Sequence, residues 1–140
     1  MHHFNKNDIQ SFSKIYRLNL INSITGYKSA NLIGTRSNSG EENVAIFSSI
    51  THLGSNPALL HFTLRPNTVP RDTYKNIKEN KVFTGNHVSL RQIEQAHHTS
   101  AKYDENISEF DQTQLESDYR LDWQAPFVKG SPICLGCRYL

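Results

Sequence analysis

The chain has 140 residues, 36% of them hydrophobic and 20% charged, with a formal net charge of +2. That is the profile of one folded domain with enough apolar material for a core; it is not that of a disordered segment, and the charge is too small to point to nucleic acid. No apolar run can span a bilayer, and the N-terminus, Met1-His-His-Phe4, lacks the apolar stretch of a secretory signal, so the expectation is a cytoplasmic protein with no membrane partner.

Ile9, Phe12 and Tyr16 recur at helical spacing and predict a short helix over 8–20, capped by Asp8 and packed on the body. Residues 30–35 read as a strand, 36–42 with Ser39-Gly40 as a hairpin loop, and 43–47 as the returning strand. That returning strand is apolar on both faces, which implies a central or well-covered position. Residues 59–65 alternate, Leu60, Phe62 and Leu64 against His61, Thr63 and Arg65, and predict a further strand. Asp72 then caps a short helix carrying Tyr74 and Ile77, and 82–88 is the next strand. Ser89-Leu-Arg-Gln92 has the pattern of a capping box that opens a helix to about His97, and Thr113-Gln-Leu-Glu116 repeats the pattern. Residues 127–128 and 133–140 close the chain as strands. No repeat or linker interrupts the sequence, so residues 1–140 form one domain, a mostly antiparallel sheet or barrel with short inserted helices.

The residues that can carry chemistry cluster at the ends of these elements. The strand Asn43-Val-Ala-Ile-Phe47 runs into Ser48, Ser49, Ile50 and Thr51, which places hydroxyls and backbone N–H groups where a phosphate-bearing ligand can use them. Arg65, Thr68, Arg71 and Thr73 share a strand-to-helix loop. Guanidinium forks match phosphate oxygens, although the same loop also reads as a solvated turn with surface arginines. Asn86 and His87 end a strand, as ligand readers or turn residues. Thr99, Ser100 and Ala101 follow a helix at another hydroxyl corner. There is no G-x-G-x-x-G, Walker loop or G-x-S-x-G, and the histidines lack metal-ligand spacing. Cys134 and Cys137 form a C-x-x-C in a strand-like context, which favours two reduced structural cysteines over zinc or redox roles. The acidic run 104–111 reads as a solvated loop and helix end.

In this order, Asn43-x-Ala-Ile-Phe-Ser-Ser49, Asn56-Pro57, Arg65-Pro-x-x-Val-x-Arg-x-Thr73, Val82-Phe-Thr-x-Asn-His87, Ala96-His-x-Thr-Ser-Ala-x-Tyr103, Ser108-Glu-Phe110 and Ala125-Pro126, the chain resembles the flavin reductase-like family of FMN-binding split β-barrels, which includes flavoredoxin-like proteins. The resemblance runs from about Ile21 to the end. It implies a mainly β fold, an antiparallel split barrel, with FMN held along it, usually across a homodimer interface. Carried over by position, Ser48, Ser49, Ile50 and Thr51 would line the isoalloxazine and ribityl chain. Arg65 and Arg71, with Thr68 or Thr73 nearby, would neutralise the phosphate. Asn86 and His87 would approach the ring or ribityl group, and Thr99, Ser100 and Ala101 would add polar and backbone contacts.

The implied activity is an oxidoreductase that takes hydride from NADH or NADPH onto flavin and passes electrons to an acceptor, including an acceptor protein. The alternatives are an FMN-binding electron carrier without NAD(P)H turnover and an inactive truncated barrel. Two departures from the family motivate the last. Gly85 stands where the family has a β-branched residue, which should weaken the strand and leave a hole. Family members also continue past the strand beginning near Ile133, so the resemblance implies that final barrel strands are missing.

Overall fold

The structure, a computed structural model, describes residues 3–65, 71–104 and 107–140. Two helices, α1 (Lys6–Ser11) and α2 (Lys14–Ser23), lead into strands β1 (Asn31–Arg36), β2 (Glu42–Phe47), β3 (Thr51–Ser55) and β4 (Ala58–His61). Helix α3 (Asp72–Asn80) and strand β5 (Val82–His87) follow. A 3-10 turn (Leu90–Gln92) opens α4 (Ile93–His98), then come α5 (Glu109–Thr113), β6 (Ser117–Asp118), β7 (Phe127–Val128) and β8 (Cys134–Arg138). The main sheet has the order β2-β1-β5-β8 and is antiparallel throughout; β3-β4 and β6-β7 are separate two-stranded pairs. Helices and antiparallel strands are thus mixed, and among the described residues the strands do not close into a barrel, where the sequence predicted one.

The period-two alternation of the strands sorts the sheet into two faces. Leu32 and Val44 point to one side, where they pack with Ala96, Phe110, Leu115 and Val128 to form the core, with Ile46 and Val88 against it. Each of the larger side chains removed from water stabilises the fold by about 1.5–3 kcal/mol. Ile33, Thr35 and Asn43 point to the other side, under α3. There a buried polar link joins helix to sheet: the Asn43 Nδ2 donates to Thr35 Oγ1 at 3.0 Å and Thr73 Oγ1 at 3.1 Å, and the Asn76 Nδ2 donates to Thr35 Oγ1 at 3.2 Å.

Several predicted elements are corrected. The single N-terminal helix is two, because Phe12 and Ser13 leave helical geometry and Ser13 caps α2; Asn5 caps α1, and Asp8 completes its capping box from inside the helix. Neither helix buries a residue fully, and Ile9, Phe12 and Leu20 of this segment are half-buried. Strand β3 was not anticipated, and β4 stops at His61 although the alternation continues. Phe62 instead turns to wedge its ring between Phe47 and Phe83, at centroid distances of 5.3 and 5.4 Å. Thr113 ends a helix rather than opening one: Ser108 caps α5, and Gln114 adopts a left-handed conformation with φ of 60°. Strand β2, for which the sequence left a central or a well-covered position open, lies at the edge of its sheet and is covered.

Close approach fixes one glycine. A Cβ on Gly34 would lie 2.2 Å from the Pro126 carbonyl oxygen and 2.5 Å from Thr84 Oγ1, so β1 crosses under the Pro126 backbone with no room for a side chain. Gly85 is the opposite case, since a Cβ there would meet only Leu135 Cβ at 3.9 Å, an ordinary contact. Thermal unfolding should separate them. Gly34→Ala is expected to destabilise by about 3 kcal/mol or more, whereas Gly85→Ala should be neutral or stabilise by up to about 1 kcal/mol. Equal effects would contradict this geometry.

Candidate functional site

Register brings the predicted clusters together. Phe47, Asn31 and His87 form one row across β2, β1 and β5, so the segments leaving β2, entering β1 and leaving β5 all emerge at the same end of the sheet. Hydrogen bonds knit that end. The Ser29 hydroxyl donates to the Ile50 carbonyl at 3.3 Å and accepts from Asn31 Nδ2 at 3.0 Å, while Val88 N–H donates to the Ala30 carbonyl at 3.2 Å. Thr99, just past α4, accepts from the Ile46 N–H at 2.9 Å, which carries Ser100 and Ala101 to the same end. Ser48–Thr51, His87 and Thr99–Ala101, far apart in sequence, therefore converge.

The segment leading to Arg65 is tied to this end. The Ser49 hydroxyl donates to the Thr63 carbonyl at 3.2 Å and accepts from the Thr63 N–H at 3.0 Å, fixing the chain two residues before the exposed Arg65. Thr68 lies outside the described residues. Helix α3 is tied to the sheet at both ends, where the Asn80 side chain donates to the Arg36 carbonyl at 2.7 Å and Thr73 Oγ1 accepts from Asn43 Nδ2 at 3.1 Å; Arg71 caps its N-terminus, next to Asp72. Arg71 Nε is buried and has no hydrogen-bond partner among the described residues. A buried guanidinium nitrogen without an acceptor, at the positive end of a helix, fits an anion.

The predicted site residues divide by what their polar atoms do. Ser49, Thr73, Asn86 and Thr99 are engaged inside the protein. Asn86 is fully buried: its Nδ2 donates to the Leu32 carbonyl at 3.1 Å and to Thr84 Oγ1 at 2.9 Å, and its Oδ1 accepts from the Val128 N–H at 3.0 Å. It is neither a turn residue nor an open ligand reader. Ser48, Thr51, Arg65, Ser100 and Ala101 are exposed, and Ile50 and His87 half-buried. Of their side chains only Ser100 has a hydrogen-bond partner among the described residues, donating to the His97 carbonyl at 2.7 Å.

Sequence reading missed Glu109, which it assigned to a solvated acidic segment. Its carboxylate accepts from the Val44 N–H at 3.2 Å on the outer edge of β2. The only local signal was the Ser108 cap, which starts a helix there and turns Glu109 toward the sheet. Two concavities flank the β1–β2 hairpin, one lined by Glu41, Glu42, Asp72 and Glu109 and the other by Arg36, Asn38 and Asn80; both lie at the opposite end from the hydroxyl cluster. Among the described residues no group of three or more His, Cys, Asp or Glu side chains could hold a metal ion. Cys134 pairs with Asn86 and Cys137 with Phe83, so the two thiols sit on opposite faces of β8; both are free, and burial pushes both up from the ordinary thiol pKa.

The family model described as the flavin reductase like domain matches residues 27–140. The chain belongs to the flavin reductase-like family. The match starts where the N-terminal helices have ended. Among solved structures, a split-barrel protein of Shewanella frigidimarina assigned as a flavin reductase is 44% identical with a TM-score of 0.94, covering 99% of this chain and 68% of its own. A 2-nitrobenzoate 2-nitroreductase of Pseudomonas fluorescens is 22% identical with a TM-score of 0.80, over 98% of this chain and 64% of its own. The flavoredoxin of Desulfovibrio vulgaris is 22% identical with a TM-score of 0.73, over 82% and 62%. The chain thus spans roughly two thirds of the length of these structures and shares their fold over that part. No curated protein sequence matches it.

Two outcomes follow from the engaged residues. Asn86→Ala should lower the stability of the ligand-free protein on the order of 3 kcal/mol, because the Val128 N–H and the Leu32 carbonyl lose a buried partner; a loss near zero in chemical denaturation would remove Asn86 from the frame. Burial raises the Glu109 carboxyl above the usual range, partly offset by backbone N–H bonds from Glu109 itself and Val44, with Asp72 adding to the rise. The folded state then keeps a proton that the unfolded chain releases, so this contribution is present at low pH and lost as pH rises through the raised pKa. Glu109→Gln keeps an acceptor for Val44 and cannot ionise. Its stability relative to wild type should therefore improve as pH rises above about 4 and level off once the raised pKa is passed, and a difference that shrinks with pH would contradict the assignment.

Proposed function

We propose that this chain binds FMN at the hydroxyl-lined end of the sheet and acts as an oxidoreductase, receiving hydride from NADH or NADPH and passing electrons to an acceptor. Membership of the flavin reductase-like family supports the cofactor class. The observation that carries the reading to this chain's own residues is the buried, partnerless Nε of Arg71, at a helix N-terminus tied to the same sheet. In this reading Arg71 and Arg65 hold the phosphate. Ser48, Ile50, Thr51, His87, Ser100 and Ala101 line the ring and ribityl chain, while Ser49, Thr73, Asn86 and Thr99 hold the frame behind them.

FMN, when bound, supplies the hydride-accepting ring, so no side chain has to serve as nucleophile or base. The protein's task is to neutralise the phosphate, exclude water from one face of the ring, and leave the other open to a nicotinamide. A homodimer with the cofactor near its interface and a cytoplasmic location complete the proposal. Among the described residues no helix is long and apolar enough to cross a membrane.

An absorption spectrum with an FMN titration tests the cofactor, and rapid mixing with NADH and NADPH tests the donor. Flavin bands that bleach with either nucleotide support the oxidoreductase reading. Bands that persist until a protein donor is added mark an electron carrier instead. Arg71→Ala is expected to weaken FMN binding about tenfold or more without lowering the melting temperature of the FMN-free protein. Unchanged affinity would take Arg71 out of the site.

A further inference from the structure

Strand β2 is an edge strand, and edge strands carry backbone donors that no neighbouring strand satisfies. On its outer side the Val44 and Ile46 N–H groups meet side chains instead. Glu109 of α5 accepts from Val44 at 3.2 Å, and Thr99, at the end of α4, accepts from Ile46 at 2.9 Å. A buried N–H without a partner is costly, so each contact fastens its helix to the strand.

Thr99 is the contact beside the candidate site. Its side chain is buried, and its single hydroxyl proton goes to the Ala96 carbonyl at 2.8 Å while the oxygen accepts from Ile46. With its one donor committed, the hydroxyl cannot also donate to a ligand. Ser100 and Ala101, the next two residues, are exposed; their backbone N–H groups close a turn on the His97 and His98 carbonyls, each at 3.0 Å. The position of this turn relative to Ser48 therefore depends on the bond between Thr99 and the strand that Ser48 ends.

We propose that Thr99 is a positioning residue, which sets Ser100 and Ala101 against the Ser48 end of β2 by plugging the Ile46 N–H and does not itself touch the cofactor. This rests on the flavin reading above. It couples two quantities that a contact role would leave independent: protection of the Ile46 amide in the FMN-free protein, and affinity for FMN.

The test measures both in wild type, Thr99→Val and Thr99→Ser, using amide hydrogen exchange without FMN and fluorescence titration with FMN. Valine keeps the shape and removes the acceptor, whereas serine keeps the hydroxyl. Thr99→Val should lose protection at Ile46 and bind FMN about tenfold more weakly, and Thr99→Ser should retain both properties. Weakened FMN binding in Thr99→Val with Ile46 still protected would mean direct contact and overturn the proposal. So would lost protection with unchanged affinity, which would leave Thr99 purely structural. If Thr99→Val does not fold, the serine variant decides: weakened affinity with Ile46 protected is again fatal. Wild-type protein that binds no FMN would overturn the flavin reading and the coupling built on it, while the Ile46 amide would still report separately whether the Thr99 bond exists.

Discussion

A single buried carboxamide holds the centre of this molecule. Asn86 reaches from β5 to the carbonyl of Leu32 on β1 and to the N–H of Val128 on β7, and shares a third bond with Thr84. Strand β7 is not a member of the main sheet, so its backbone near Val128 has no ladder partner there. The amide supplies one. Thr84 extends the same link by donating to the Pro126 carbonyl at 2.6 Å, in the spot where Gly34 leaves no space for a side chain. The segment 125–128 is thereby clamped onto the core face, and Val128 completes the apolar cluster with Leu32 and Val44. Because Asn86 precedes His87 in the chain, this clamp also steadies the end of the sheet at which the site residues emerge.

The architecture separates frame from surface within short stretches of chain. Ser48 is exposed while Ser49 is bonded in both directions to Thr63; Ser100 is exposed while Thr99 is buried. Neighbouring hydroxyl residues thus perform opposite tasks, one fixing the backbone and the next facing outward. Such pairing would suit a ligand site, since a side chain contributes to binding only when its own position has been set beforehand.

Much of the sheet was legible in the sequence because it rests on local rules. Strands β1, β2, β5 and β8 were read as short strand segments between turns and helix starts, and the capping box at Ser89 marks the start of the 3-10 turn and α4. What was not legible depends on partners distant in the chain. Phe62 fits a strand pattern but leaves it for the rings of Phe47 and Phe83, and Asn86 looks like a ligand reader until Val128, 42 positions later, takes its oxygen. Glu109 sits in an acidic run that composition alone assigns to solvent, yet the edge of β2 draws it inward. In the candidate site the residue types were readable and the clusters could be named, but side-chain direction, which decides between frame and surface, was not. The edge position of β2 lay equally out of reach, since an apolar strand reads the same whether another strand or two helices cover it.

Strand parity at the C-x-x-C pair has a practical consequence. Cys134 shares a face with Asn86 and the core-side clamp, and Cys137 shares a face with Phe83 and the aromatic wedge. The two thiols therefore behave as independent gauges on either side of one strand. Alkylation of Cys137 reads how often the Phe62–Phe83 side opens to solvent, alkylation of Cys134 reads the side held by Asn86, and neither label has to be engineered into the chain.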